Sequence, residues 1–190
     1  MNRTLTLWVS ALSIALAGCV PVMIAGAVGG TAMVATDRRS AGAQVDDESI
    51  ELKVITQASS EFGERIHLNV TSYNGIVLLT GEVPDQAALA SVGNLAKKTE
   101  KVRGVHNEMV IGPNSDFSAR SNDSYITSKV KTRMLEANKF PPNVVKVVTE
   151  RGVVYLMGIV SKEEGDAAAE IAATTAGVVR VVKFFQYPNT

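Results

Sequence analysis

Val70-Thr71-Ser72-Tyr73-Asn74-Gly75-Ile76-Val77-Leu78-Leu79-Thr80-Gly81-Glu82-Val83 is echoed later by Val147-Val148-Thr149-Glu150-Arg151-Gly152-Val153-Val154-Tyr155-Leu156-Met157-Gly158-Ile159-Val160. At one constant offset, Val70 meets Val147, Gly75 meets Gly152, Val77 meets Val154, Gly81 meets Gly158 and Val83 meets Val160. An internal repeat of this kind constrains the architecture before any single element is assigned. Each copy has a β-branched run, a polar turn ending in glycine and a second β-branched run, which predicts a β-hairpin. Asn74-Gly75 is a strong type I′ turn signal, because both central residues need positive φ. Arg151-Gly152 is a weaker signal at the same place. Gly81 and Gly158 mark a bulge or a close backbone approach late in the second strand.

An amphipathic helix precedes each hairpin. In copy one, Asp47 is positioned to cap a helix that carries Ile50, Val54 and Ala58; in copy two, Asp123 is positioned to cap one that carries Ile126, Val130 and Met134. A second helix follows each hairpin, from about Asp85 to Lys101 and from about Lys162 to Thr175, ended by Gly104 and Gly177 as positive-φ residues. Closing strands follow, near Val105–Ile111 and Val178–Phe185. The unit is α-β-β-α-β, a three-stranded sheet with two helices on one face. Such a unit is marginal alone, and packing one copy on the other is a remedy. The polar stretch 113–122 is expected to be a linker.

The N-terminus carries a different signal. Arg3 supplies a positive charge, Leu5 to Ala17 form a short apolar stretch, and Leu16-Ala17-Gly18-Cys19 follows. Small residues directly before a cysteine form a lipobox at the end of a secretory signal. In proteins with this pattern the cysteine thiol carries diacylglycerol and its new amine is acylated. Each buried methylene then contributes about 0.8 kcal/mol, so three chains on Cys19 hold a protein at a membrane. Val20 is not Asp, and in lipoproteins of this kind that favours the outer membrane. Expected boundaries are therefore 1–18 signal peptide, 19–45 lipidated cysteine and tether, 46–112 first domain, 113–122 linker and 123–187 second domain.

Composition excludes several classes. Lys and Arg total 19, as do Asp and Glu, so no overall basic field exists to hold nucleic acid. One cysteine rules out an intramolecular disulfide. The two histidines, His67 and His106, lack a ligand-type neighbour at metal spacing and are expected to be ordinary strand or loop residues. No nucleophile elbow, phosphate loop or paired-histidine motif occurs, so neither catalysis nor a cofactor is expected. Asp46-Asp47-Glu48 fits a helix N-terminus, and Ser161-Lys162-Glu163-Glu164 fits a capping box.

The repeated pattern of Asp47, Ile50, Val54, Gly75, Gly81, Val83, Gly104 and Val105, with Asp123, Ile126, Val130, Gly152, Gly158, Val160, Gly177 and Val178, resembles the BON domain twice over. The fold expected from this resemblance is α+β: two αββαβ BON domains, each a three-stranded mixed sheet with two helices on one face, after a lipoprotein signal peptide. The resemblance implies a role in envelope integrity at the outer membrane. It also implies binding of anionic phospholipid such as phosphatidylglycerol by the first helix of the second domain, with enrichment at the division site.

A helical wheel locates the residues that would serve. With Ile126, Val130 and Met134 on the core side, Tyr125, Ser128, Thr132 and Leu135 lie away from it, flanked by Lys129, Arg133 and Glu136. An exposed tyrosine suits a headgroup interface. Each basic residue near an anionic surface is worth about 1 kcal/mol, giving weak binding that an anchor reinforces. The matching helix of copy one lacks the aromatic and the basic cluster. The expected phospholipid-binding residues are Tyr125, Ser128, Lys129, Thr132, Arg133 and Leu135. The competing reading is a protein-interaction module that binds an outer-membrane assembly factor or protease through a sheet edge or helix face.

Overall fold

A computed structural model describes residues 37–188; the signal peptide, Cys19 and the tether up to residue 36 lie outside the described residues. Domain 1 contains α1 (Ala41–Phe62), β1 (His67–Tyr73), β2 (Ile76–Val83), α2 (Gln86–Lys98), β3 (Gly104–Asn107) and β4 (Val110–Ile111). Domain 2 contains α3 (Phe117–Ala137), β5 (Val145–Glu150), β6 (Val153–Ile159), α4 (Lys162–Ala173) and β7 (Arg180–Gln186). The second strand is central in each sheet: β2 is antiparallel to β1 and parallel to β3 and β4, while β6 is antiparallel to β5 and parallel to β7. This is the mixed three-stranded αββαβ arrangement expected from the repeat. The closing edge of domain 1 is interrupted, and β3 and β4 are two short segments along β2.

Both hairpin turns have positive φ at both central residues: Asn74 (52°) with Gly75 (74°), and Arg151 (53°) with Gly152 (73°). Thus Arg151 adopts the conformation that Asn74 favours intrinsically. A methyl group on Gly81 would collide with the His67 carbonyl, and one on Gly158 with the Val144 carbonyl, so both are close backbone approaches. Gly177 has the expected positive φ, whereas Gly104 lies within β3 and Lys101, at φ 68°, makes the left-handed step after α2.

Helices cover one face of each sheet. Ile50, Val54 and Ala58 of α1 and Val92 and Ala96 of α2 pack on Val77, Leu79 and Val83. Ile126, Val130 and Met134 of α3 and Ala168 and Ile171 of α4 pack on Val147, Val154 and Leu156. The alternate strand residues point to the other face, and there the two sheets meet. Tyr73 and Leu78 join Tyr155 and Met157 in a third buried cluster, flanked by Val148, Val182 and Phe184. His106 stacks on Phe184 with ring centroids 3.9 Å apart. The layers run helices, sheet, sheet, helices. The uninterrupted apolar run Ile76-Val77-Leu78-Leu79 suits a strand covered on both faces.

Three expectations are corrected. Asp47 is not a helix cap: α1 starts at Ala41 and its N-cap is Ser40. Asp123 likewise lies inside α3, whose N-cap is Asp116. Both aspartates are buried on the sheet-facing side and hold the hairpin turns. The Asp47 carboxylate accepts from the Asn74 and Gly75 N–H groups at 2.7 and 2.8 Å, and Asp123 accepts from those of Arg151 and Gly152 at 2.8 and 2.9 Å. These turns bring two N–H groups together, and a carboxylate satisfies both at once. Third, the stretch 113–122 is only partly a linker, since Phe117 to Asn122 already belong to α3.

Candidate functional site

The first helix of domain 2 carries every residue assigned to phospholipid except the anchor. Its start is set by Asp116, whose side chain accepts from the Ala119 N–H at 2.7 Å, and its end by Asn138 in the left-handed conformation. Asp123, Ile126, Val130 and Met134 form the buried stripe. On the opposite side Tyr125 and Leu135 are 63% and 62% exposed. A third large apolar side chain shares this side: Phe117, 78% exposed. At 100° per residue Phe117, Tyr125 and Leu135 fall within a sector of about 80°, spread over about 27 Å of helix.

The intervening surface is built from small hydroxyl residues. Ser124 Oγ donates to the Arg120 carbonyl and Ser128 Oγ to the Ser124 carbonyl, both at 3.0 Å. Hydroxyls turned back onto their own helix have their donors satisfied within it.

The two basic residues sit at its margin. The Lys129 ammonium donates to the Ala176 carbonyl and lies 4.6 Å from the centre of the Tyr125 ring. Arg133 donates to the Ile171 carbonyl at 3.0 Å and to the Thr175 and Thr174 hydroxyls at 2.7 and 3.2 Å. Both cations thus donate to carbonyls in or just beyond the last turn of α4, where positive charge is favoured. Lys129 also meets the π-face of Tyr125. A cleft of about 470 Å³ lies between α3 and this helix end, lined by Tyr125, Ser128, Lys129, Thr132 and Arg133. Leu135 lies outside it. It borders a second groove that it shares with Thr132, Lys131 and Arg39.

Arg39 belongs to the first described segment, which is held firmly. Arg39 pairs with Asp37 and Asp47, each at 2.7 Å, and its guanidinium lies 4.3 Å from the centre of the Tyr73 ring. Arg38 reaches domain 2, with a two-pronged salt bridge to Glu164 (2.6 and 2.7 Å) and a bond to the Ile159 carbonyl (3.0 Å). Glu164 is also the third residue of a complete capping box with Ser161, as the sequence suggested. The chain therefore enters the fold beside the Leu135 groove. Burial would raise the Asp47 pKa, but bonds from Ser72, the Gly75 N–H, Arg39 and the Asn74 N–H outweigh it and hold the carboxyl below its ordinary value.

In domain 1 the corresponding helix is not purely polar outside. Val45, Leu52 and Ile55 of α1 are exposed on one side. The difference between the copies is therefore aromatic character and charge, not apolar exposure alone.

One grouping was invisible in the sequence. The β1–β2 register sets His67 opposite Glu82, and domain packing brings Glu150 to the same place. His67 is a strand residue, as expected, and faces two buried carboxylates.

The BON domain family model matches residues 46–113 and again 122–189. The chain belongs to the BON-domain family. It is 39% identical over 177 residues to the outer membrane lipoprotein DolP of Haemophilus influenzae, covering 92% of this chain and 91% of that protein. It is 40% identical to a 21 kDa hemolysin of Actinobacillus pleuropneumoniae, over 80% of this chain and 79% of that one. To the osmotically-inducible protein Y of Escherichia coli it is 30% identical, over 72% of this chain and 70% of the relative. It is a dual BON-domain protein similar to DolP. None of these BON-domain relatives is named as an enzyme. Among the described residues, no helix is long and apolar enough to cross a membrane.

Proposed function

We propose that this BON protein is a lipid-anchored outer-membrane lipoprotein that sustains envelope integrity by binding anionic phospholipid, such as phosphatidylglycerol, through the outer face of α3. The lipobox at Cys19 and the likeness to a protein named outer membrane lipoprotein support the location. The observation that carries the binding is the row Phe117, Tyr125 and Leu135, solvent-exposed on a helix whose other side is fully committed to the core. Ser128 and Thr132 separate the apolar groups, while Lys129 and Arg133 stand at the edge where phosphate would lie. Arg39, in the first described segment, lines the same groove as Leu135. Enrichment at the division site would follow wherever the preferred lipid gathers.

Vesicle flotation tests this. Binding to phosphatidylglycerol vesicles should exceed binding to phosphatidylcholine vesicles and weaken as salt rises. Tyr125→Glu or Leu135→Glu should each reduce it about ten-fold, roughly 1.4 kcal/mol. Unchanged binding in both variants means that the assigned face is wrong. The exposed Val45, Leu52 and Ile55 on α1 favour a second activity, contact with an outer-membrane protein. Crosslinking from position 52 in cells reports on it.

A further inference from the structure

We propose that His67, Glu82 and Glu150 form a binding site for a divalent transition-metal ion, zinc in the first instance, which joins the two BON domains. One ligand atom from each of the three lies within 4.8 Å of the other two. His67 Nδ1 is 2.9 Å from Glu82 Oε2 and 3.9 Å from Glu150 Oε1. Around a tetrahedral zinc with bonds near 2.0 Å, neighbouring ligands stand about 3.3 Å apart, so these spacings bracket the required edge. Imidazole with carboxylates is a donor set suited to zinc and its neighbours in the first transition series.

The surroundings hold the ligands as a metal site requires. Glu150 Oε2 accepts from Asn69 Nδ2 at 2.8 Å, leaving Oε1 directed at His67 across a distance too long for a hydrogen bond. Glu150 is 95% buried by its 5% exposure, so this carboxylate oxygen points into the cluster from a nearly closed position. Glu82, fully buried, accepts from the Ser115 N–H at 3.1 Å on Oε2 and from Arg151 at 3.4 Å on Oε1. Ser115 Oγ also approaches His67 Nδ1 at 3.3 Å. Orientation of first ligands by such outer partners is characteristic of metal sites. The site opens on a cleft of about 260 Å³ lined by His67, Asn69, Asp123, Thr149 and Glu150, which gives an entry path and room for a water as fourth ligand. Glu82 and Glu150 direct carboxylate oxygens at one imidazole, while the neighbouring Arg151 guanidinium reaches Glu82 on its other oxygen, Oε1, at 3.4 Å. Imidazole and carboxylate bind a metal through their lone pairs, so any proton on a ligand atom leaves to solvent as the ion binds. Because β1 and β2 supply two ligands and β5 the third, the ion ties domain to domain.

The experiment uses the untagged full chain in detergent, with Cys19→Ser to remove the thiol, stripped by chelator and titrated with zinc chloride. Calorimetry should show one zinc per chain, and zinc should raise the melting temperature. His67→Gln and Glu150→Gln should each weaken affinity about ten-fold or more and abolish the melting shift. His106→Gln, which changes the other histidine, should retain both. Cobalt(II) on the unsubstituted cluster should give visible ligand-field bands that zinc removes, a readout that needs no variant to fold. No saturable binding, no cobalt bands, equal affinity in the His67 and Glu150 variants, or loss in the His106 variant would each overturn the proposal.

Discussion

Asp47 shows how much one side chain can organise. Its carboxylate bonds the Ser72 hydroxyl, two turn N–H groups and Arg39 from within a helix. Replacing it with asparagine leaves a turn donor short of an acceptor and deprives the half-buried Arg39 guanidinium of one of its two carboxylate partners. Asp47→Asn is therefore expected to cost about 3 kcal/mol in urea unfolding. Its pH dependence has a definite sign. The folded pKa lies below the ordinary 3.8, so the stabilisation is complete above that value and is lost as pH falls through the folded pKa. The difference in melting temperature between the original chain and Asp47→Asn should therefore shrink on acidification below pH 3.8. The sequence held a clue to this role. Asp47 shares its helix stripe with Ile50 and Val54, and Asp123 with Ile126 and Val130, whereas a cap precedes the stripe. Residue type suggested an N-cap; only the folded hairpin shows which N–H groups come within reach.

Among the elements, α3 departs most from its sequence reading. The Ile126, Val130 and Met134 periodicity gave its core side correctly, and the exposed positions of Tyr125 and Leu135 followed from the same wheel. Its start was obscured because Asn114, Ser115 and Asp116 are turn formers and Phe117 to Asn122 contain no core-facing apolar residue. The Asp116 cap extends the helix, and with it the outward apolar row gains Phe117. Phe117→Ser should reduce phosphatidylglycerol-vesicle binding several-fold while leaving the melting temperature within about 2 °C, because an exposed side chain contributes little to stability. A large loss of stability would place Phe117 in packing instead. Lys129 and Arg133 were legible as basic residues, but their engagement with the end of α4 depends on how the helices cross, which periodicity does not encode.

For the whole molecule, the decisive contact is sheet against sheet. Tyr73, Leu78, Tyr155 and Met157 are nearly inaccessible only because the other domain covers them. Leu78→Ala should cost about 2–5 kcal/mol, and a chain limited to residues 37–112 should fail to unfold cooperatively, as circular dichroism on heating would report. An independent, sharp transition for that fragment would show that the interface is dispensable. The repeat made two domains plain, and apolar runs on both sides of each hairpin hinted at a second covered face. Pairing of those faces, and hence the meeting of His67 with Glu150, arises from contacts between residues far apart in the chain.

The segment Asp37–Ser40 gives this architecture a mechanical property. Arg39 is fastened to domain 1 and Arg38 to domain 2, so the chain enters at the crevice that both domains share. Tension applied at Asp37 is divided between two ion pairs on opposite walls before it reaches α1. The load draws on both domains together and does not peel one helix away from its sheet. A protein tethered at this end would bear the drag of a moving envelope as a single body.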